Sequence, residues 1–377
     1  MKYVDEYRDG TRAKALAAAI AAEVQPARHY AFMEFCGGHT HAIARYGLED
    51  LLPANVRLIH GPGCPVCVLP IGRLEEAIAL AADPRVILCT YADLMRVPAA
   101  RGHSLQKARA DGSDVRMVYS CLDALRIAAE NPGREVVFLA IGFETTTPPT
   151  AHAVLAAERQ GLGNFSVLCN HVLTPPAMRA ILAAPGGSGL DGVIGPSHVS
   201  TVIGAQAYAG VAAEFATPVV IAGFEPLDVL QSVLMLLRQV NSGRAEVENQ
   251  YIRAVTDEGN RKAQAVMAEV FVRRPSFAWR GLGELPDSAL ALAPAYAGRD
   301  AERRFGIEAP VIADNPACEC GAILRGAKNP ADCRLFGTVC TPQSPIGSCM
   351  VSAEGACAAA WTYGRARDRS ARSKVSQ

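Results

Sequence analysis

The sequence predicts an α/β protein with two parallel-sheet βα domains followed by a cysteine-rich terminal domain. Three observations predict it. Short runs rich in β-branched and aromatic residues alternate with helix-compatible segments, and most lack the in–out alternation of a half-exposed strand. Such runs suit parallel strands covered on both faces. Most polar residues of chemical interest fall directly after these runs, where open α/β sheets collect their ligand sites. Finally, six of the 12 cysteines crowd between Cys318 and Cys357.

The strands are expected at 31–35, 56–59, 86–89, 115–119, 136–141, 165–169, 192–194 and 218–222. Helices are expected between them at 73–82, 122–130, 149–160, 175–184 and 199–212, a βα series. The eight strands divide into two groups of four at the turn Asn131-Pro132-Gly133-Arg134. That places a first α/β domain at 29–133 and a second at 134–245. Residues 1–28, with a helix near 11–24, and residues 246–377 make up the terminal domain. Ile141-Gly142-Phe143-Glu144 and Ala222-Gly223-Phe224-Glu225 echo each other, each placing a Gly at a strand exit and a Glu toward a shared crevice. A long helix is expected over 246–271, weakened by Gly259 by about 1 kcal/mol relative to Ala. Connecting structure is expected over 273–310 and a polar tail beyond Arg365.

The bulk composition narrows the function. With 37 basic and 37 acidic residues, no net field draws the chain to nucleic acid or an anionic membrane. The first residues hold no apolar stretch of the Sec type, and no run reaches the roughly 18–20 apolar residues that cross a bilayer. A cytoplasmic location is therefore expected. In a chain of 377 residues that builds large cores, cysteines favour metal or redox chemistry over disulfide staples.

The C-terminal order is Cys318-x-Cys320-x12-Cys333-x6-Cys340-x8-Cys349-x7-Cys357. Soft thiolates suit zinc and iron–sulfur clusters. A zinc ribbon would present two short Cys-x2–4-Cys knuckles, which are missing here, while wide loops with Pro342, Pro345, Gly347 and Gly355 fit wrapping around a larger cluster. The favoured ligands are Cys320, Cys333, Cys340 and Cys357. Cys318 is disfavoured because one intervening residue makes joint ligation with Cys320 awkward. Cys349 competes for a ligand place, its apolar setting suiting an inert buried thiol equally well. Zinc, reduced structural cysteines and disulfides are the competing readings.

Two N-terminal motifs carry thiol chemistry. Cys36-Gly37-Gly38-His39-Thr40-His41 follows a strand, its glycines permitting close backbone approach and its histidines offering a base or an imidazole ligand. The bland alternative is a buried Cys36 with hydrogen-bonded histidines. Gly61-Pro62-Gly63-Cys64-Pro65-Val66-Cys67 places a Cys-x-x-Cys beside a strand-to-helix turn, the arrangement of dithiol redox sites. It could also be half of a metal site completed by His60, Cys36 or His39. Cys89, Cys121 and Cys169 read as small buried hydrophobes. Glu144, His171, His198 and Glu225 are cleft candidates or satisfied loop residues. The chain has no phosphate-binding glycine fingerprint, Walker loop or Ser-centred elbow, so neither ATP nor nicotinamide is implied.

With FCGGHTH at 35–41, GPGCPVC at 61–67, GFETTTP at 142–148, GPSHVS at 195–200, GFEP at 223–226 and CGAILRG…CRLFGTVCTPQSPIGSCMVSAEGAC over 320–357, the chain closely resembles the HypD family of hydrogenase maturation proteins. The resemblance implies two similar Rossmann-like α/β domains and a terminal domain carrying a [4Fe-4S] cluster. It implies a part in assembling the Fe(CN)2CO group of [NiFe]-hydrogenase, and so an indirect action on that enzyme's large subunit. The implied partners are a HypC-type small chaperone and a HypE-type cyanide donor acting with HypF. By the same resemblance, Cys36 holds the transient iron centre together with a chaperone thiolate, His39 assists beside it, and Cys64 with Cys67 is the redox-active pair. The rival readings are an iron–sulfur-dependent protein disulfide reductase and a structural zinc scaffold.

Overall fold

The structure, a computed structural model, describes residues 4–184 and 188–364; the tail expected beyond Arg365 lies outside them. All eight expected strands form: β1 (Tyr30–Glu34), β2 (Val56–His60), β3 (Val86–Thr90), β4 (Val115–Met117), β5 (Glu135–Gly142), β6 (Phe165–His171), β7 (Gly192–Gly195) and β8 (Val219–Ile221). A ninth, β9 (Val247–Asn249), joins them. Every residue of β3 and β6 is buried, which is why their sequences run apolar without alternation.

The strands form two parallel sheets, ordered β2-β1-β7-β8-β9 and β4-β3-β5-β6. This corrects the division at 133/134 into consecutive groups of four. The chain leaves the first sheet after β2, builds the whole second sheet from β3 to β6, and returns at β7. The turn at 131–134 is an ordinary connection from the helix Cys121–Glu130 to β5 within the second sheet. Spatial neighbours here are set by which strands pair, and a turn signal does not encode that.

Helix α1 (Gly10–Glu23) starts at Asp9, whose side chain accepts the Arg12 amide. It packs on the long helix that follows β8, and Ile20 enters the same core as Phe32, Leu58 and Leu230. The N-terminal residues thus belong to the first sheet, correcting their assignment to the terminal domain. Helix α2 (Gly37–Tyr46) follows β1 and ends at Gly47 in a left-handed cap.

Helix α3 (Pro226–Asn241), the long helix after β8, is an element beyond the expected series. Pro226 at its first position, a capping box between Glu225 and Asp228 and a buried stripe of Val229, Leu230, Val233, Leu236 and Leu237 explain it. The helix expected over 246–271 is corrected to β9 followed by α4 (Arg261–Val270). Gly259 has φ +69°, and a Cβ there would lie 2.4 Å from the Gly204 nitrogen, so two chain segments cross at paired glycines. Gly204 likewise breaks the helix expected over 199–212 into Ser197–Ile203 and Ala209–Phe215. The region 273–310 contains two small antiparallel pairings, Phe271–Arg273 with Leu290–Leu292 and Ser276–Trp279 with Gly283–Pro286.

The cysteine-rich segment folds into short turns without a core of its own. Cys320, Cys340, Cys349 and Cys357 share one apolar cluster with Cys64, Cys67, Leu88, Val137 and Leu139 of the second sheet and its connections. No helix among the described residues is long and apolar enough to cross a membrane.

Candidate functional site: a cysteine at a strand exit linked to a six-cysteine cavity

β1 ends at Glu34, which pairs in register with His60 of β2 and Ile194 of β7. The carboxyl ends of the first sheet therefore bring together the loops that follow β1, β2, β7 and β8. Glu34 is 0% exposed, and its carboxylate organises this floor. Oε2 accepts the Cys36 amide at 2.8 Å, while Oε1 accepts the Thr40 hydroxyl and faces His60 Nδ1 at 3.1 Å. Burial opposes a charge on His60, but the hydrogen bond and negative charge of Glu34 outweigh it and raise its pKa. Glu34 is not among the residues expected from sequence. The available signal was a carboxylate closing an apolar strand two residues before Cys36.

Cys36 caps α2 in extended geometry and is partly exposed. Burial raises its thiol pKa, with the carboxylates of Glu354 and Glu34 acting the same way against hydrogen bonds from the Gly38 and His39 amides. An ionised thiolate is therefore disfavoured at this position unless a cation offsets the burial. The glycines around it are explained by close contacts. A Cβ on Gly37 would lie 2.3 Å from Glu354 Cβ, one on Gly38 2.4 Å from Phe224 Cε1, and one on Gly63 2.4 Å from the Cys36 nitrogen.

His39 is buried, and its Nε2 lies 3.1 Å from the Ala222 carbonyl and 3.0 Å from that of Gly223. Nε2 therefore carries the proton, and Nδ1 is a buried acceptor with no hydrogen-bond partner. Burial lowers the His39 pKa, so the ring is neutral. The ring packs on Phe224, whose other neighbour is His198. His39 thus fastens the loop after β8 to the Cys36 helix. His41 instead meets Tyr363, with the phenol oxygen 2.7 Å from Nε2.

Cys64 caps the single helical turn Pro65–Val68 and is joined to Cys67 by a disulfide, with Cα atoms 5.2 Å apart. Ser348 connects this pair to the C-terminal cysteines. Its hydroxyl donates to the Cys67 carbonyl at 2.9 Å and lies 3.9 Å from Cys320 Sγ. Sequence gave no sign of this serine.

All six C-terminal cysteines line one small cavity with Ile323, Leu335, Phe336 and Met350. The expected ligands Cys320, Cys333, Cys340 and Cys357 are thus brought together, and Cys318 and Cys349 with them. Cys320 is bonded to Cys349, leaving Cys318, Cys333, Cys340 and Cys357 free. Among the described residues no three His, Cys, Asp or Glu side chains stand in metal-holding geometry. The donor set nevertheless suits an iron–sulfur cluster, since six soft sulfurs surround an enclosed apolar space. The Ile346 amide also points at Cys340 Sγ at 3.4 Å, the type of N–H···S contact that cluster sites use. Opening the Cys320–Cys349 bond would be the first requirement.

The remaining candidates have local roles. Glu144 Oε1 accepts the Thr174 amide at 2.9 Å at the start of the helix Thr174–Leu182, and burial pushes its pKa up to about 7. His171 spans Thr150 and the Gly142 carbonyl, and burial lowers it to about 4. Glu225 caps α3 and pairs with Arg8. Glu144 and Glu225 thus serve separate sheets rather than one crevice. Cys89, Cys121 and Cys169 are buried, as expected.

Comparison with known proteins places this arrangement. A model of the family described as "HypD: Hydrogenase formation hypA family" matches residues 11–364. The chain is 68% identical over 374 residues to the hydrogenase maturation factor HypD of Rhizobium leguminosarum bv. viciae, covering 98% of this chain and 97% of the relative. It is 66% identical over 371 residues to that of Azotobacter vinelandii, covering 97% and 98%. It is 47% identical over 372 residues to that of Escherichia coli K12, covering 96% and 98%. With a near-complete match and parallel sheets that carry the thiol motifs at their carboxyl ends, the chain belongs to the HypD family of hydrogenase maturation factors.

Proposed function

We propose that this chain holds the nascent Fe(CN)2CO cargo of [NiFe]-hydrogenase on Cys36, jointly with a thiolate of a HypC-type small chaperone, and receives cyanide by way of a HypE-type donor. The observation that carries this reading is the setting of Cys36. Cys36, a partly exposed residue with its thiol set into the protein, stands at the carboxyl end of a parallel sheet, its amide fixed by a fully buried carboxylate and its thiol receiving two backbone N–H groups. A soft donor so placed suits a low-spin iron with π-accepting ligands.

The residues divide the work. Glu34 fixes the backbone of Cys36, and the Gly38 and His39 amides stabilise the thiolate once its proton leaves. Neutral His39 locks the β8 loop over the site. Glu354 lies against Gly37, and its carboxylate acts electrostatically on the Cys36 thiol. Cys64 and Cys67 form the dithiol, and reducing their bond takes two electrons and two protons. A [4Fe-4S] cluster held by Cys320, Cys333, Cys340 and Cys357, with Cys349 the competing ligand, supplies electrons singly when bound. The Ser348 bridge supports a short path between the two sulfur sites.

The test is anaerobic purification with the small chaperone, followed by iron and acid-labile sulfide assay and infrared spectroscopy. The expected result is a sulfide-containing protein with metal-bound cyanide and carbonyl bands. A disulfide reductase, the alternative that the Cys64–Cys67 bond beside the cysteine cavity favours, would turn over a disulfide substrate without those bands. Zinc alone, with no sulfide and no bands, would overturn the proposal in favour of a structural scaffold.

A further inference from the structure

We infer that Arg280 is a fixed countercharge for the metal cluster of the six-cysteine cavity and sets its reduction potential. The inference rests on the cluster reading above. Arg280 is 5% exposed, and its backbone is held at the junction of the two sulfur sites. Its amide donates to the carbonyl of Val68, the residue after Cys67, at 2.8 Å. The next residue, Gly281, has φ +80°, and a Cβ there would lie 2.6 Å from the Cα of Gly321, the residue after Cys320. Arg280 is thus pinned between the dithiol loop and the start of the cysteine segment.

Its side chain carries charge that the protein does not fully answer. Asp314 Oδ1 lies 3.1 Å from Nε, but the Asp314 side chain is 45% exposed. Neither Nε nor Nη2 has a hydrogen-bond partner, and both are buried. A buried guanidinium with unused N–H groups is costly unless an anion stands nearby. The cysteine cavity adjoins the guanidinium and would supply that anion once its thiols are ionised around a cluster. Cys318 faces Arg280 electrostatically, and Cys318, Cys320 and Arg280 line the same solvent groove. Each electron added to a thiolate-bound cluster adds one negative charge to this wall. A fixed cation therefore favours the reduced state and raises the potential, while Asp314 opposes it.

The test is a redox titration of the anaerobically purified full chain, followed by cluster absorbance and by electron paramagnetic resonance of the reduced form. Iron and sulfide are assayed in each sample. Arg280→Gln is expected to move the midpoint to more negative potential, Asp314→Asn to more positive potential, and Arg280→Lys to remain near the wild type. A structural role alone would not give opposite signs for the two charge changes. Should Arg280→Gln fail to fold, the half-exposed Asp314→Asn decides the matter. Loaded proteins with unmoved midpoints overturn this inference alone. A wild-type chain without iron and sulfide overturns the cluster reading and this inference together.

Discussion

Glu34 grips the backbone of Cys36: its fully buried carboxylate accepts the Cys36 amide at 2.8 Å through one oxygen and faces His60 Nδ1 at 3.1 Å through the other. The strand end, the reactive loop and the neighbouring strand are thereby tied at one side chain. In Glu34→Gln the burial of His60 is left without its charged partner. The His60 pKa, raised in the wild type, should then fall, as read by NMR titration of the ring. The sign for stability follows. A histidine with a raised folded pKa contributes stability that is full below the unfolded value of about 6.5 and fades as pH rises through the folded value. Wild type minus Glu34→Gln should therefore narrow with rising pH in thermal unfolding, from an acid-side difference of about 1–3 kcal/mol. A difference independent of pH would show that the pair carries no charge.

The Gly38–Phe224 contact should behave as a coupled pair. A methyl at Gly38 meets the Phe224 ring at 2.4 Å, so Gly38→Ala should cost about 1–3 kcal/mol through overpacking. In a Phe224→Ala background the same change should cost much less, giving a coupling of comparable size. Denaturant unfolding of the four proteins checks this. Additive effects would mean that the loop after β8 does not rest on the Cys36 helix.

Glu144 gives a pH signature in the second sheet. Its carboxyl is raised from 4.5 to about 7 by burial, so its effect on stability is least harmful below the unfolded value and grows as pH rises toward 7. Relative to Glu144→Gln, the wild type should lose about 3 kcal/mol between pH 4.5 and pH 7, at 1.36 kcal/mol per pKa unit. Chemical denaturation at several pH values measures it, and parallel profiles for the two proteins would contradict it.

How far the sequence reveals this molecule depends on the range of the interaction. β3 and β6 were legible because burial on both faces writes a continuous apolar run into a few adjacent residues. The placement of Cys36 and Cys64 was legible because each follows a strand within a glycine-rich loop, with Cys67 in the helical turn that Cys64 caps. The exchange of strands between sheets was not, since the pairing of β1 with β7 links residues some 160 positions apart and leaves no local mark. Ser348 and Arg280 were missed for the same reason, their partners being Cys67 and Val68 in a distant loop. α3 is different, because its capping signal and apolar stripe are local and were available to be read.

Cys36 is the proposed ligand of the cargo iron. The most direct measurement is infrared spectroscopy of the anaerobically purified complex with the small chaperone, comparing wild type with Cys36→Ala. Cyanide and carbonyl bands are expected in the wild type and are expected to be lost in the variant, with iron–sulfur absorbance retained in both. Full-strength bands in the Cys36→Ala complex would contradict it.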